Sequence, residues 1–326
     1  MEDNMSFWKK KNVLVTGGAG FIGSHLVDKL ITEKVKKIIV VDNFFLGKLS
    51  NLKEAKSRFR NFLIFKKNAE DYSFMKSIIK KNRIDIVFNL ATKCLPYSFI
   101  NPEETFMVNV NIANTLLKLL REKYYKTLIH FSSSEAYGSA KTQNIREDHI
   151  LDPNTPYAAG KAAADLMVLS YLKIYDLDVS IVRPFNTYGP RQNEGVYAAV
   201  IPITIKRIIQ GKKPILESDG NQTRDFIYVD DVTRATINIY KNQKTRGKII
   251  NIASGKETKI KTIISLIAKI LKYKGKILRK PERKGDVRRH CADISLAKSL
   301  ITFRPRVDLH KGLKYTVNWY KENLKF

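Results

Sequence analysis

Tyr157 and Lys161 stand four residues apart in the stretch Tyr157-Ala-Ala-Gly-Lys161, and Ser132-Ser-Ser-Glu135 lies just upstream. Residues four apart share one face of a helix. Pro156, followed by Leu166, Leu169, Leu172 and Ile174, predicts a helix over 158–176. A free phenol titrates at roughly pH 10 and is a poor base near neutrality. A neighbouring ammonium favours the phenolate and lowers that value. A tyrosine, a lysine and a hydroxyl held together can therefore take the proton of an alcohol while a hydride leaves its carbon. Oxidation of a sugar or alcohol by a nicotinamide requires this chemistry.

The N-terminal part of the chain offers a seat for such a hydride acceptor. A short apolar run, 11–15, leads into Thr16-Gly-Gly-Ala-Gly-Phe-Ile-Gly23 and then a helix. Small residues let the backbone approach a pyrophosphate, and the helix N-terminus presents free N–H donors to it. A second apolar run, 37–41, ends in Asp42, 19 residues beyond Gly23, the spacing of a ribose-binding carboxylate. An acid there repels the 2′-phosphate of NADP, so NAD is the expected cofactor.

The elements that must hold these groups alternate along the first half. Strands are predicted at 12–16, 37–42, 62–66, 85–90, 127–132 and 179–183, and helices at 22–33, 73–81, 103–122 and 158–176. This rhythm implies an α/β fold: a Rossmann-type doubly wound parallel sheet whose ligands bind beyond the C-terminal strand ends. Gly17, Asp42, Ala91, Ser133 and Asn186 all fall at or just after such ends. Beyond about residue 184 the rhythm breaks at Pro184, Gly189-Pro190, Pro202, Gly211, Pro214 and Gly220. The expected division is a dinucleotide-binding domain, 1–184, to which 222–253 returns, and a smaller interleaved α/β substrate domain, 185–221 and 254–326. In the latter, helices are expected at 258–272 and 309–323, a short strand at 275–279 and a loop at 281–286.

Composition narrows the class. The 326 residues are 44% hydrophobic, enough for a sizeable core, without an apolar run of membrane-spanning length or a signal-peptide pattern. Two cysteines, Cys94 and Cys291, make neither a disulfide framework nor a metal cluster, so a cytoplasmic protein without metal is expected. The net charge of +28 is scattered in short lysine clusters rather than gathered in a nucleic-acid module. It would still attract an anionic substrate such as a sugar nucleotide.

Eight ordered motifs, TGGAGFIG (16–23), VVDN (40–43), FNLAT (88–92), SSSEAYG (132–138), YAAGK (157–161), RPFNTYGPRQ (183–192), TRDFIYVDDV (223–232) and GDVRRHCAD (285–293), span nearly the whole chain. Together they resemble the extended short-chain dehydrogenase/reductases that modify nucleotide sugars, the epimerases and dehydratases. The resemblance implies that Gly17, Gly20, Phe21 and Ile22 hold the NAD pyrophosphate. It places Asp42 at the adenosine ribose, Asn68 at the adenine, and Asn43, Ala69, Leu90, Ala91 and Thr92 along the cofactor. Ser133, Tyr157 and Lys161 would be catalytic, with Lys161 also on the nicotinamide ribose and Pro184 against the nicotinamide. Asn186, Arg224 and Arg288 would bind the substrate diphosphate, for which the planar guanidinium fork is suited. Two positions depart from the family pattern: Asn68 stands for a common Asp and Asn89 for a common His. A homodimer through the helices 103–122 and 158–176 is the family's habit, and Leu116, Leu119, Leu120, Leu166 and Leu169 are compatible with it.

Members of this family begin alike, by oxidising C4 of the sugar. A 4-epimerase then returns the hydride to the other face and needs no further acid or base. A 4,6-dehydratase must remove the C5 proton and expel the C6 hydroxyl, which needs an additional acid/base. Glu135, two residues beyond Ser133, is the candidate, and its Ser-x-Glu-x-Tyr-Gly setting is similar to that of dehydratases and of sugar-nucleotide decarboxylases. The expectation is a nucleotide-sugar 4,6-dehydratase, with 4-epimerase second, decarboxylase third, and a non-catalytic dinucleotide-binding protein disfavoured because Tyr157 and Lys161 are both present.

Overall fold

The computed structural model describes residues 6–282 and 285–324. The strands in chain order are β1 (Asn12–Thr16), β2 (Lys37–Asp42), β3 (Phe62–Lys66), β4 (Ile86–Asn89), β5 (Thr127–Phe131), β6 (Val179–Pro184), β7 (Asn186–Tyr188), β8 (Ile215–Glu217), β9 (Thr223–Tyr228), β10 (Ile249–Ile252), β11 (Glu257–Lys259) and β12 (Leu278–Lys280). Seven of them form one sheet in the order β3-β2-β1-β4-β5-β6-β10, and every pairing in it is parallel. The order reverses beside β1, between β1 and β4, which opens the crevice expected of a doubly wound sheet.

Side chains alternate across the sheet because successive residues of a strand face opposite ways. Val13 and Val15 of β1, with Ile38 and Val40 of β2, pack on one face beneath Leu26, Val27 and Leu30 of the helix Phe21–Thr32. Leu14, Ile39, Val41 and Val87 pack on the other face against Leu116, Leu117 and Leu120 of the helix Pro102–Arg121. Burial on both sides explains why these strands read as continuous apolar runs. Leu116, Leu119 and Leu120 are wholly or almost wholly buried inside the chain, whereas Leu166 and Met107 are half exposed or more.

The chain leaves this sheet after Pro184 and returns to it as β10. The helix Val229–Lys241 on the way back contacts the helix Phe21–Thr32. β9 instead lies in a three-stranded sheet between β7, parallel, and β11, antiparallel. A third apolar cluster, including Ile201, Ile205, Ile263, Ile267, Leu313 and Val317, joins the helices Val200–Ile209, Ile260–Ile270 and Leu309–Asn323. The short strand expected at 275–279 forms at Leu278–Lys280, paired in parallel with β8, and of the expected loop 281–286, residues 283 and 284 lie outside the described ones. No helix among the described residues is long and apolar enough to cross a membrane.

Candidate active site

The glycine-rich turn connects β1 to the helix Phe21–Thr32, with Gly20 at its N-cap. Gly17 adopts φ +66°, and a methyl there would sit 2.7 Å from the Ala91 backbone nitrogen, so the turn can press against the end of β4 only without a side chain. Asp42, at the end of β2, accepts hydrogen bonds from the backbone N–H of Ala19 at 2.9 Å and of Phe44 at 2.8 Å. Burial pushes its carboxyl up, against the pull of those N–H donors. Asn43 donates to the Asn68 side chain at 3.0 Å, joining two residues expected to bind the cofactor.

A cavity of about 450 Å³ runs over the sheet's C-terminal edge. Gly17, Gly20, Phe21, Ile22, Asp42, Asn43, Asn68, Ala69, Leu90, Ala91, Thr92, Ser133, Tyr157, Lys161, Pro184 and Asn186 all line it. Its glycine-rich turn, helix N-terminus and Asp42 carboxylate fit a dinucleotide.

A second cavity of about 470 Å³ adjoins the first, and both are lined by Ser133, Tyr157, Pro184 and Asn186. Glu135 and Arg224 line the second alone. Three buried amide oxygens in its wall, Asn186 Oδ1, Gln192 Oε1 and Gln222 Oε1, have no protein hydrogen-bond partner. Buried acceptors of this kind suit a ligand rich in hydroxyl donors. Arg224 turns its guanidinium to Asp286 Oδ1 at 2.5 Å and to the Thr223 and Val287 carbonyls. Register brings it near Asn186, because Asn186 pairs with Phe226 two residues along β9. Arg288 is set apart: it is exposed, 3.3 Å from Asp219, and lines neither cavity.

The helix Pro156–Tyr175 starts where sequence rules place it. Thr155 is the N-cap, its hydroxyl accepting from the Ala158 N–H at 3.2 Å, and Pro156 opens the first turn. A methyl on Gly160 would lie 3.1 Å from Phe106 Cα, so glycine lets this helix sit tight against Pro102–Arg121. Ser133 caps the short 3₁₀ turn Ser134–Tyr137, which carries Glu135, by accepting the Glu135 N–H at 3.2 Å.

The electrostatics differ from the expectation for Tyr157. Burial pushes its phenol up, opposed by a hydrogen bond with Ser133, and the Glu135 carboxylate pushes it further the same way. Lys161 Nζ donates to the Phe131 carbonyl at 3.0 Å, and burial lowers its ammonium to about 8. In the protein alone, desolvation therefore outweighs any help from the lysine.

Sequence reading passed over a cluster in the lining of the first cavity. Lys93, immediately after FNLAT, lies 3.8 Å from the Phe45 ring centroid and pairs with Glu104 at 2.8 Å. Lys93 also lies over the ring of Tyr97, from the short helix Leu95–Ser98, and Tyr197 packs against both Phe45 and Tyr97. Adjacency to a motif could have flagged Lys93, but the aromatic partners carry no sequence signal. No group of three or more metal-ligating side chains occurs among the described residues.

A family model described as GDP-mannose 4,6 dehydratase matches residues 14–316. A UDP-N-acetyl-alpha-D-glucosaminuronate decarboxylase of Bacillus cytotoxicus is 34% identical over 96% of this chain and 98% of its own. The fold superimposes on a UDP-glucose 4-epimerase from Thermotoga maritima, solved with UDP-glucose, with TM-score 0.90 and 34% identity over 96% of this chain and all of the other. A dTDP-glucose 4,6-dehydratase from Streptomyces venezuelae, solved with NAD, gives TM-score 0.90 at 28% identity over 96% and 97% of the two chains. With the dinucleotide cradle, the Tyr157–Lys161 pair and full-length similarity agreeing, the chain belongs to the extended short-chain dehydrogenase/reductase family of nucleotide-sugar epimerases, dehydratases and decarboxylases.

Proposed function

We propose that the protein is an NAD-dependent nucleotide-sugar 4,6-dehydratase acting on a hexose or N-acetylhexosamine nucleotide. The observation that carries this reading is Glu135: a carboxylate in the wall of the substrate cavity, beside Tyr157 and Ser133, where 4-epimerisation has no use for one. NAD, bound along the first cavity, would accept the hydride and later return it. NAD-bound relatives of the same fold support that assignment.

Tyr157 takes the C4 hydroxyl proton, with Ser133 hydrogen-bonded to its phenol. Lys161 holds a positive charge one helical turn away and stabilises the phenolate as it forms. The resulting C4 carbonyl acidifies C5, and Glu135 removes that proton and delivers it to the departing C6 hydroxyl. Asn186, Gln192 and Gln222 offer their free acceptor oxygens to sugar or nucleotide donors. Arg224 supplies a guanidinium for the diphosphate and Asp286 holds it in place.

A 4-epimerase is the second reading, favoured by the higher identity to the Thermotoga epimerase than to the Streptomyces dehydratase. A decarboxylase is the third, favoured by the Bacillus relative. A homodimer through the two long helices fits the half-exposed Leu166 and Met107 on their surfaces.

Mass spectrometry of reactions with UDP-, dTDP-, GDP- and CDP-hexoses and N-acetylhexosamines tests the reading. Loss of one water supports the dehydratase and identifies its substrate. An unchanged mass with a new separable isomer replaces it with the epimerase, and loss of carbon dioxide from a uronic acid nucleotide with the decarboxylase.

A further inference from the structure

Beneath the catalytic residues lies a closed polar cluster centred on Asp165, one helical turn beyond Lys161 on the same face. Asp165 is fully buried, and Arg183 and His130 are each 1% exposed. Asp165 Oδ2 accepts from the Arg183 guanidinium and from the Ser132 hydroxyl at 2.5 Å. Arg183 also reaches the Ser132 hydroxyl at 3.3 Å. Ser132 immediately precedes Ser133, and Arg183 immediately precedes Pro184.

The other carboxylate oxygen, Oδ1, has no hydrogen-bond partner and faces His130 Nε2 at 3.8 Å. The tautomer of that ring follows from the chain of donors leading to it. The Thr16 hydroxyl donates to Asn89 Oδ1 at 2.7 Å, so the Asn89 amide nitrogen donates to His130 Nδ1 at 3.1 Å. Nδ1 is therefore an acceptor and Nε2 carries the proton, directed at Asp165. The Thr16 hydroxyl in turn accepts from the Ala91 N–H at 3.3 Å. The carboxylate thus joins Arg183 of β6 to Ser132 at the end of β5, and the Thr16–Asn89–His130 chain from β1, β4 and β5 ends beside it.

Burying an aspartate among two cations is costly unless each charge is matched. Asp165 has two cations to match, Arg183 in direct contact and Lys161 on its own helix. Burial lowers the Lys161 ammonium and Asp165 is the group that opposes it. Asp165 on its own helix and His130 from β5 act on Lys161 directly, Arg183 from β6 pairs with Asp165, and Glu135 from the Ser134–Tyr137 turn acts on Tyr157. His130 is held neutral at pH 7, its value pushed down to about 4 by burial.

We propose that Asp165 is a positioning residue: its buried carboxylate sets the charge of Lys161 and locks the strand ends that present Ser133 and Pro184. The inference rests on the role given to Lys161 in the proposed reaction, but its first test needs no substrate. In the full-length protein with isotope-labelled lysine, the Lys161 titration is followed by NMR and assigned through Lys161→Arg. Asp165→Asn should lower its midpoint by about one pH unit. Asp165→Glu, which keeps the charge, should leave it in place. If Asp165→Asn alone does not fold, Asp165→Asn with Arg183→Met removes both buried charges and should still lower the midpoint, by less than the single substitution, because a repelling cation is lost with the attracting carboxylate.

Turnover supplies the second arm, with whichever sugar nucleotide the chain consumes. The alkaline limb of kcat should move down together with the titration while KM changes by no more than about twofold. A Lys161 midpoint unmoved in a folded Asp165→Asn protein would overturn the inference, whether or not the enzyme is active. A shifted midpoint in a protein that consumes no sugar nucleotide would support the role of Asp165 and remove the proposed function instead.

Discussion

Lys161 Nζ donates to the carbonyl oxygen of Phe131 at 3.0 Å, so the ammonium is anchored to the end of β5 rather than to the phenol of Tyr157. With the phenol itself pushed up by burial, the base is not preformed in the protein alone. The chemistry then depends on Lys161 retaining its proton. Because burial brings Lys161 down to about 8, its charge is present below that pH and is lost as pH rises through it. Turnover should accordingly decline above about pH 8. A pH–kcat profile that stays flat to pH 10 would contradict this role for the lysine.

Tyr157→Phe removes only the phenolic oxygen. Hydride transfer should fall by two to four orders of magnitude, on the order expected for loss of a general base. NAD binding and the thermal midpoint should be nearly unchanged. Calorimetry and single-turnover absorbance of the reduced cofactor check both halves.

Glu135→Gln should stop water loss while leaving C4 oxidation intact, so a 4-keto sugar and reduced cofactor accumulate. Rapid quenching followed by mass spectrometry reads both. Full activity in this variant would exclude the dehydratase and leave the 4-epimerase.

Asp42→Asn should weaken NAD by about tenfold or more, the usual effect of losing a charged hydrogen-bond acceptor, and weaken NADP less. The two N–H bonds that Asp42 accepts from Ala19 and Phe44 mean the variant also loosens the glycine-rich turn. Titration with each cofactor measures the difference. Equal losses would show that the carboxylate acts only on the turn.

Two buried histidines, His130 and His290, and the largely buried His25 make the fold acid-sensitive. Burial pushes His25 and His130 down to about 4 and His290 to about 3, from 6.5. Below pH 6.5 the unfolded chain takes up these protons and the native chain does not, until the native values are reached. The stability they contribute is whole above pH 6.5 and is lost progressively as pH falls toward 4. His290, packed 5.1 Å from Phe185 between ring centroids, offers the check. His290→Leu should change the thermal midpoint more favourably at pH 5 than at pH 7.5.

Much of the fold was legible in the chain because its signals are local. The six strands and four helices expected through residue 184 occur within one or two residues of their predicted ends. Apolar runs buried on both sheet faces, and a Thr-Pro helix start, need no knowledge of distant residues. β10 was harder, since Ile249–Ile252 is short and joins the sheet only as an edge beside β6. The glycine-rich turn, Asp42, Tyr157 and Lys161 were likewise readable from type and spacing.

Other features depend on residues far apart in sequence. Arg224 looked equivalent to Arg288 as a diphosphate ligand, yet β9 carries Arg224 into the cavity wall while Arg288 stays at the surface with Asp219. The Lys93 cluster needs loops separated by as many as about 150 residues to meet. Asp165 looked like one polar residue in a helix, and only the packing of that helix on β5 and β6 makes it the hub of a buried charge cluster. Residue type, period and spacing by themselves determined the α/β fold, the dinucleotide cradle and the Tyr–Lys pair, because each is written within a short span of chain. The sign of the Tyr157 shift and the neighbours of Asp165 were decided only by the tertiary structure, because desolvation and charge pairing depend on what surrounds a group in space.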